Sequence, residues 1–115
     1  MEQPRDIRVG QTPADIVLKV VSKPTQEDRN VVAQVGAIAT LMDASNDQPA
    51  GLFSGLAASP EAETFSRHDQ TRTAILRFKS PRMRQSGTFY YKILGSTPEG
   101  YFLFGIDTDS FVVSP

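Results

Sequence analysis

Cysteine is absent from this 115-residue chain, and histidine occurs once, at position 68. Without cysteine the chain forms no disulfide bond, carries out no thiol chemistry and holds no metal through cysteine. No apolar run approaches the roughly 18 residues of a membrane-spanning helix, and the first ten residues lack the apolar core of a signal peptide. The sequence therefore predicts an intracellular, soluble protein that makes no membrane contact.

The chain also lacks a large excess of charge of either sign. Thirteen acidic and twelve basic residues give a formal net charge of −1. A protein that coats nucleic acid is normally strongly basic, so any nucleic-acid contact must be local. The length predicts one domain spanning residues 1–115, and residues 1–13, with their charges, prolines and Gly10, predict an irregular N-terminal arm.

Two apolar runs, residues 73–78 and 88–94, dominate the pattern and flank a basic segment. Both runs are rich in β-branched and aromatic residues, which favour strands. Between them Pro81 lacks a backbone donor and Gly87 tolerates positive φ, so residues 79–86 are predicted to form a connection. Residues 72–84 carry five positive charges and no acid: Arg72, Arg77, Lys79, Arg82 and Arg84.

Further short apolar segments predict additional strands. Residues 14–22 alternate as in a strand buried mainly on one face, and residues 101–106 and 111–113 form two more apolar runs. Residues 31–44 fit an amphipathic helix or a strand, and we favour the strand because Gly36 would cost a helix about 1 kcal/mol. Residues 23–30 predict a surface turn. Residues 45–60 predict a long connection or two edge segments, and residues 61–70 a helical turn or a mobile loop.

These segments together predict an all-β fold. Six to eight short strands separated by turn signals, with no convincing helix, are typical of a β-sandwich. The sequence contains no internal repeat and no low-complexity segment.

The residues that could support catalysis are isolated from one another. His68 lies in a polar segment and is predicted to be an exposed loop histidine, although a small hydrolase centred on it is the least favoured alternative. Asp107 and Asp109 lack the glycine and the distal glutamate of a calcium-binding loop, so they are predicted turn residues. The glycines match no nucleotide-binding motif. We therefore expect no enzyme activity, no cofactor, no metal and no small-molecule substrate.

The sequence resembles the velvet domain of fungal regulators, as a divergent or shortened member. Residues 2–5 with Arg8 and Gly10 are similar to the family's opening Q-Q-P-x-x-x-R-x-x-G signature, and residues 12–20 resemble its P-P-P-I-V-Q-L-x-V strand. Residues 39–43 resemble A-x-L-x-D, and residues 52–56 its L-x-G turn. Residues 75–93 resemble its basic turn and following strand, and residues 111–113 the closing F-x-V. The resemblance covers nearly the whole chain.

This resemblance implies an immunoglobulin-like sandwich and a function in transcription. It implies regulation of fungal development and secondary metabolism, homo- or heterodimers with other velvet-type proteins, and localisation in the nucleus and cytoplasm. Arg5 and Arg8 match the signature. Together with the basic residues from Arg77 to Arg84, which could contact phosphates of double-stranded DNA, they give the candidate DNA-binding residues Arg5, Arg8, Arg77, Lys79, Arg82 and Arg84.

An interaction-only sandwich is the alternative to a DNA-binding domain. The family carries a basic loop between its opening signature and the proline-rich strand, whereas here only Gln11 and Thr12 separate Gly10 from Pro13. In this alternative the domain binds another regulator through an exposed strand edge or an apolar face, without contacting DNA.

Overall fold

The chain folds into two β-sheets and one short helix, as seen in a computed structural model that describes residues 1–52 and 55–115. Because most of the regular structure is β and the two sheets share one core, the predicted all-β, sandwich-like fold is confirmed. In chain order the elements are β1 (Ile7–Arg8), β2 (Ile16–Val21), α1 (Gln26–Ala33), β3 (Gly36–Asp43), β4 (Gln48–Pro49), β5 (Leu56–Ala58), β6 (Pro60–Ser66), β7 (Thr71–Phe78), β8 (Gly87–Ser96), β9 (Phe102–Asp107) and β10 (Phe111–Ser114).

The small sheet has the strand order β2-β7-β6, and both of its pairings are antiparallel. The large sheet has the order β1-β10-β8-β3-β4, with β5 also paired to β3 and β9 also paired to β8. Only β1, which pairs with β10, runs parallel to its neighbour among the described strands. The chain crosses from the small sheet to the large one between β7 and β8. Residues 79–86, which we call the basic connector, form this crossing.

Alternating side chains from both sheets form the core. Ile16 and Leu18 of β2 are buried opposite β7, as the alternation in residues 14–22 predicted. Leu76 and Phe78 of β7 join the same cluster, and so do the inward residues of β8, which are Phe89, Tyr91 and Ile93. Each of these strands buries one face, which explains why their sequence pattern was informative.

The helix α1 corrects the prediction of a surface turn at residues 23–30 and of a strand over all of 31–44. Thr25 caps α1, because its side-chain oxygen accepts a hydrogen bond from the Asp28 N–H at 3.2 Å. Glu27 and Asp28 lie in the first turn, where negative charge is favourable. The helix buries Val32, and the predicted strand begins only at Gly36.

Two further predictions were wrong in part or in whole. Residues 61–70 were expected to form a helical turn or a loop, but Pro60–Ser66 is strand β6, held by backbone pairing to β7. The arm was expected to be irregular, yet it contains β1 and a bridge between Glu2 and Val17. In residues 45–60 the structure bears out two edge segments, β4 and β5, while residues 53 and 54 of the predicted L-x-G turn lie outside the described residues.

Thr108 joins β9 and β10, which lie end to end along one side of β8. Its backbone N–H donates to the Tyr91 carbonyl at 2.9 Å, and its hydroxyl accepts from the Tyr91 N–H at 2.9 Å. Thr108 is buried, so these two bonds replace strand pairing at the position where β9 has ended and β10 has not begun.

The Tyr91 side chain carries a polar group into the core. Its ring stacks on Phe111, with ring centroids 6.1 Å apart. The hydroxyl is buried and has no hydrogen-bond partner among the described residues. Burial disfavours the charged phenolate and raises the pKa of Tyr91 to about 12.

Candidate functional site

The basic connector, residues 79–86, is fixed at its beginning to the residues that lead into β2. Ser80 is buried, and its N–H donates to Asp15 Oδ1 at 3.2 Å. The Ser80 hydroxyl donates to the Ala14 carbonyl at 2.8 Å. Both contacts are to residues just before β2, so the connector leaves the small sheet in a defined direction.

A second set of bonds holds the middle of the connector. The Gly10 N–H donates to the Met83 carbonyl at 2.7 Å, and the Met83 N–H donates to the Gln11 carbonyl at 3.0 Å. Arg82 Nε donates to the Gly10 carbonyl at 2.8 Å. Gly10 has φ +92°, a conformation that favours glycine, and Met83 is only 1% exposed. The connector therefore has a defined conformation that presents its arginines from a fixed backbone.

Arg77 is not one of the arginines that the connector presents. Its Nε lies 3.1 Å from Glu61 Oε2, and its Nη1 lies 3.6 Å from Asp15 Oδ2. Hydrogen bonding and the negative charge of Glu61 raise the pKa of Arg77. Because two carboxylates already neutralise this guanidinium, it is a poor candidate for a phosphate contact.

The other predicted DNA-binding residues divide into separate locations. Arg8 in β1 lies two residues before Gly10, and its backbone N–H donates to Gln11 Oε1 at 2.8 Å. Arg82 and Arg84 line a hollow of about 410 Å³ together with Leu52, Pro81, Met83 and Gln85, a lining that contains no acid. Arg5 lines a different hollow, which also contains acids: Glu2, Asp6 and Asp109. Lys79 is exposed directly after β7.

The outer face of the large sheet carries an apolar row that crosses four strands. Ile38 of β3 pairs with Ala57 on one side and with Leu94 of β8 on the other, and Leu94 pairs with Gly105 of β9. Ile38 is 54% exposed and Leu94 is 49% exposed. We call these four residues the outer row. Neighbouring outward positions on adjacent strands lie about 4.8 Å apart, so the row forms a continuous strip.

Phe102 and Gly55 extend the outer row at its two ends. A Cβ placed on Gly105 would lie 3.6 Å from the Phe102 ring, so this ring, 68% exposed, flanks the row at β9. A Cβ placed on Gly55 would lie 2.9 Å from Ile38 Cγ2, so the Gly55 backbone approaches the row at β5. Large apolar side chains grouped on an uncovered face are typical of a protein-interaction surface.

A polar row lies beside the outer row on the same face. Lys92 of β8 pairs with Asp107 of β9, and Thr40 of β3 pairs with Lys92 on its other side. Within residues 1–52 and 55–115, neither Lys92 nor Asp107 forms an ion pair. Farther along the sheet, the Tyr90 hydroxyl donates to Asp47 Oδ1 at 3.0 Å, and this bond raises the pKa of Tyr90.

The outer row was missed at the level of sequence, and Asp107 was predicted only as a turn residue. The sequence did contain one signal of this face. Consecutive apolar residues, Ala37 with Ile38 and Ile93 with Leu94, place apolar side chains on both faces of the same strand. The face became visible only when strand register placed these residues side by side. His68 lies exposed in the turn between β6 and β7, and the described residues contain no group of three or more side chains suited to a metal.

Neither the scan against protein-family models nor the search of curated proteins finds a match to the chain. Among the described residues, no helix has the length and apolar character needed to cross a membrane.

Proposed function

We propose that this chain is a velvet-like regulatory domain that acts by pairing with another protein domain through the outer face of the large sheet. The observation that carries the proposal is the outer row, where Ile38 and Leu94 are half exposed on adjacent strands. The resemblance of the sequence to velvet domains supplies the partner class, which is a second copy of the chain or another velvet-type protein.

The physical argument is the burial of apolar surface. Covering the outer row and the Phe102 ring removes apolar area from water, which favours association by roughly 25 cal/mol for each Å². Backbone pairing within the sheet holds the row, so little ordering entropy opposes binding. An aromatic ring beside a flat aliphatic strip is also the composition that interfaces favour at their centre.

Leu94→Arg tests this proposal by placing an unpaired charge in the centre of the outer row. We expect the substitution to weaken association by at least about tenfold, because a desolvated cation without a partner is costly. Sedimentation of the chain alone, and mixed with a velvet-type protein, measures the effect. Val21→Arg is the matched control, since Val21 is 59% exposed on the small sheet. A strict monomer in both experiments, or equal weakening by the control, overturns the proposal.

Contact with double-stranded DNA is a second candidate function, within the same regulatory role. The observation that favours it is the hollow lined by Arg82 and Arg84, which contains no acid and whose backbone is fixed to the arm. Arg8 lies two residues before Gly10 and Lys79 begins the connector, while Arg5 lines a separate hollow. Arg77 is excluded from the contact we propose because Glu61 and Asp15 pair with it.

A salt titration of duplex binding tests this contact. Each phosphate neutralised contributes about 0.9 to the slope of log affinity against log salt, so Arg82→Ala with Arg84→Ala is expected to reduce the slope by about two. Arg67→Ala is the control, because Arg67 is exposed at the opposite end of β7 from the connector. No binding at low salt, or an unchanged slope in the double variant, excludes the contact.

A further inference from the structure

We infer that the outer face pairs with a second copy of this chain about a two-fold axis that runs parallel to the strands, between β8 and β9. The inference rests on the proposed function, since it uses the same face. It is carried by two neighbouring pairs in the strand register, Lys92 with Asp107 and Leu94 with Gly105. In each pair the β8 residue differs from the β9 residue. Rotation about the axis places the β8 residue of one copy opposite the paired β9 residue of the other copy.

The charges favour this symmetry. When two copies face each other across such an axis, Lys92 of each copy lies opposite Asp107 of the other, so both contacts join opposite charges. If each residue instead faced its own equivalent in the other copy, lysine would face lysine and aspartate would face aspartate, and both contacts would be repulsive. Both charges are exposed, and neither forms an ion pair within the described part of the chain.

The apolar residue nearest the axis also favours this arrangement. Lys92, Leu94, Gly105, Ile106 and Asp107 line a shallow hollow of about 290 Å³ between β8 and β9. Gly105 has no side chain, and Leu94 of the same copy leans over it: Leu94 Cδ2 would lie 3.2 Å from a Cβ placed on Gly105, while half of the Leu94 surface stays exposed. Leu94 therefore lies close to the two-fold axis, and the Leu94 side chains of the two copies meet across it in one apolar contact.

Reversal of one charge at a time tests the arrangement. Lys92→Glu and Asp107→Lys are each expected to weaken self-association by about tenfold, because each homodimer then contains two pairs of like charges. An equimolar mixture of the two variants is expected to recover association to within about threefold of the natural chain, since both contacts in the mixed dimer join opposite charges. Sedimentation of each variant and of the mixture provides the measurement.

The mixture separates interface effects from effects within one copy. Lys92 and Asp107 are neighbours in the same sheet, so either reversal also adds a repulsion inside each copy, and mixing cannot remove that repulsion. Lys19→Glu is the control, because Lys19 is exposed on β2 in the small sheet. It is expected to leave self-association unchanged, and circular dichroism confirms that every variant is folded.

The outcomes distinguish this inference from the proposed function. Recovery in the mixture supports the two-fold pairing. If Leu94→Arg abolishes self-association but the mixture does not recover it, the two-fold arrangement is wrong and the outer face remains the contact surface. If the chain associates only with a velvet-type protein and never with itself, the inference is overturned and the proposed function is retained. A strict monomer in every mixture overturns both.

Discussion

Met83→Ala is expected to lower the free energy of unfolding by about 2–5 kcal/mol, although Met83 lies in the middle of a basic connector. The side chain is 1% exposed and belongs to the core cluster that both sheets share. Truncation leaves a cavity between the sheets. It also removes the apolar contact that supports the backbone bonds from Met83 to Gly10 and Gln11. Urea unfolding followed by circular dichroism measures the change.

Two other substitutions show whether the effect comes from packing. Met83→Leu keeps most of the volume and is expected to cost less than about 1.5 kcal/mol. Gln85→Ala removes an exposed side chain two residues later and is expected to stay within about 0.5 kcal/mol of the natural chain. If Met83→Ala costs no more than Gln85→Ala, the connector is not anchored in the core.

Tyr91 is expected to make the fold sensitive to alkaline pH. Its pKa is about 12 in the folded chain, against roughly 10 in the unfolded chain. Below pH 10 the phenol is neutral in both states. Between about pH 10 and 12 only the unfolded state loses the proton, so stability falls as pH rises, by about 2.7 kcal/mol over the two units.

Tyr91→Phe is expected to remove this fall in stability at alkaline pH and also to stabilise the fold at neutral pH. The hydroxyl is buried without a partner in the described structure, so its removal is expected to add about 1 kcal/mol to the free energy of unfolding at pH 7. The difference from the natural chain then widens above pH 10. Tyr101→Phe, at an exposed tyrosine, is the control. A difference that stays constant across the pH range contradicts the buried, unpartnered hydroxyl.

Sequence pattern predicted the strands that bury one face and missed the elements that do not. The alternation in β2, β7 and β8 reflects contact with the core, so it could be recognised without coordinates. Strand β6 is almost wholly exposed, with Glu61 and Glu63 along it, and only backbone pairing to β7 makes it a strand. Helix α1 had one detectable signal, the Thr25 cap with acids in the first turn, which was outweighed by the polar, proline-containing start of that segment.

Of the two candidate surfaces, the sequence predicted only the basic connector, because a run of like charges is visible without a structure. The acid-free block from Arg72 to Arg84 identified the connector, but the sequence could not show that Asp15 and Glu61 fold against Arg77. The outer row depends on the register of β5, β3, β8 and β9, which an apolar pattern does not specify. The side chains that could pair two copies were therefore present in the sequence without any sign of their proximity.

The two bonds between Thr108 and the Tyr91 backbone affect how the large sheet opens. β10 pairs with the beginning of β8 and β9 pairs with its end, so without Thr108 each strand could detach independently. The buried threonine spans the gap with one donated and one accepted bond. We therefore expect local unfolding of this side to be cooperative across the junction, and the Tyr91 amide to exchange with solvent no faster than the amides of the continuous ladder on the β3 side.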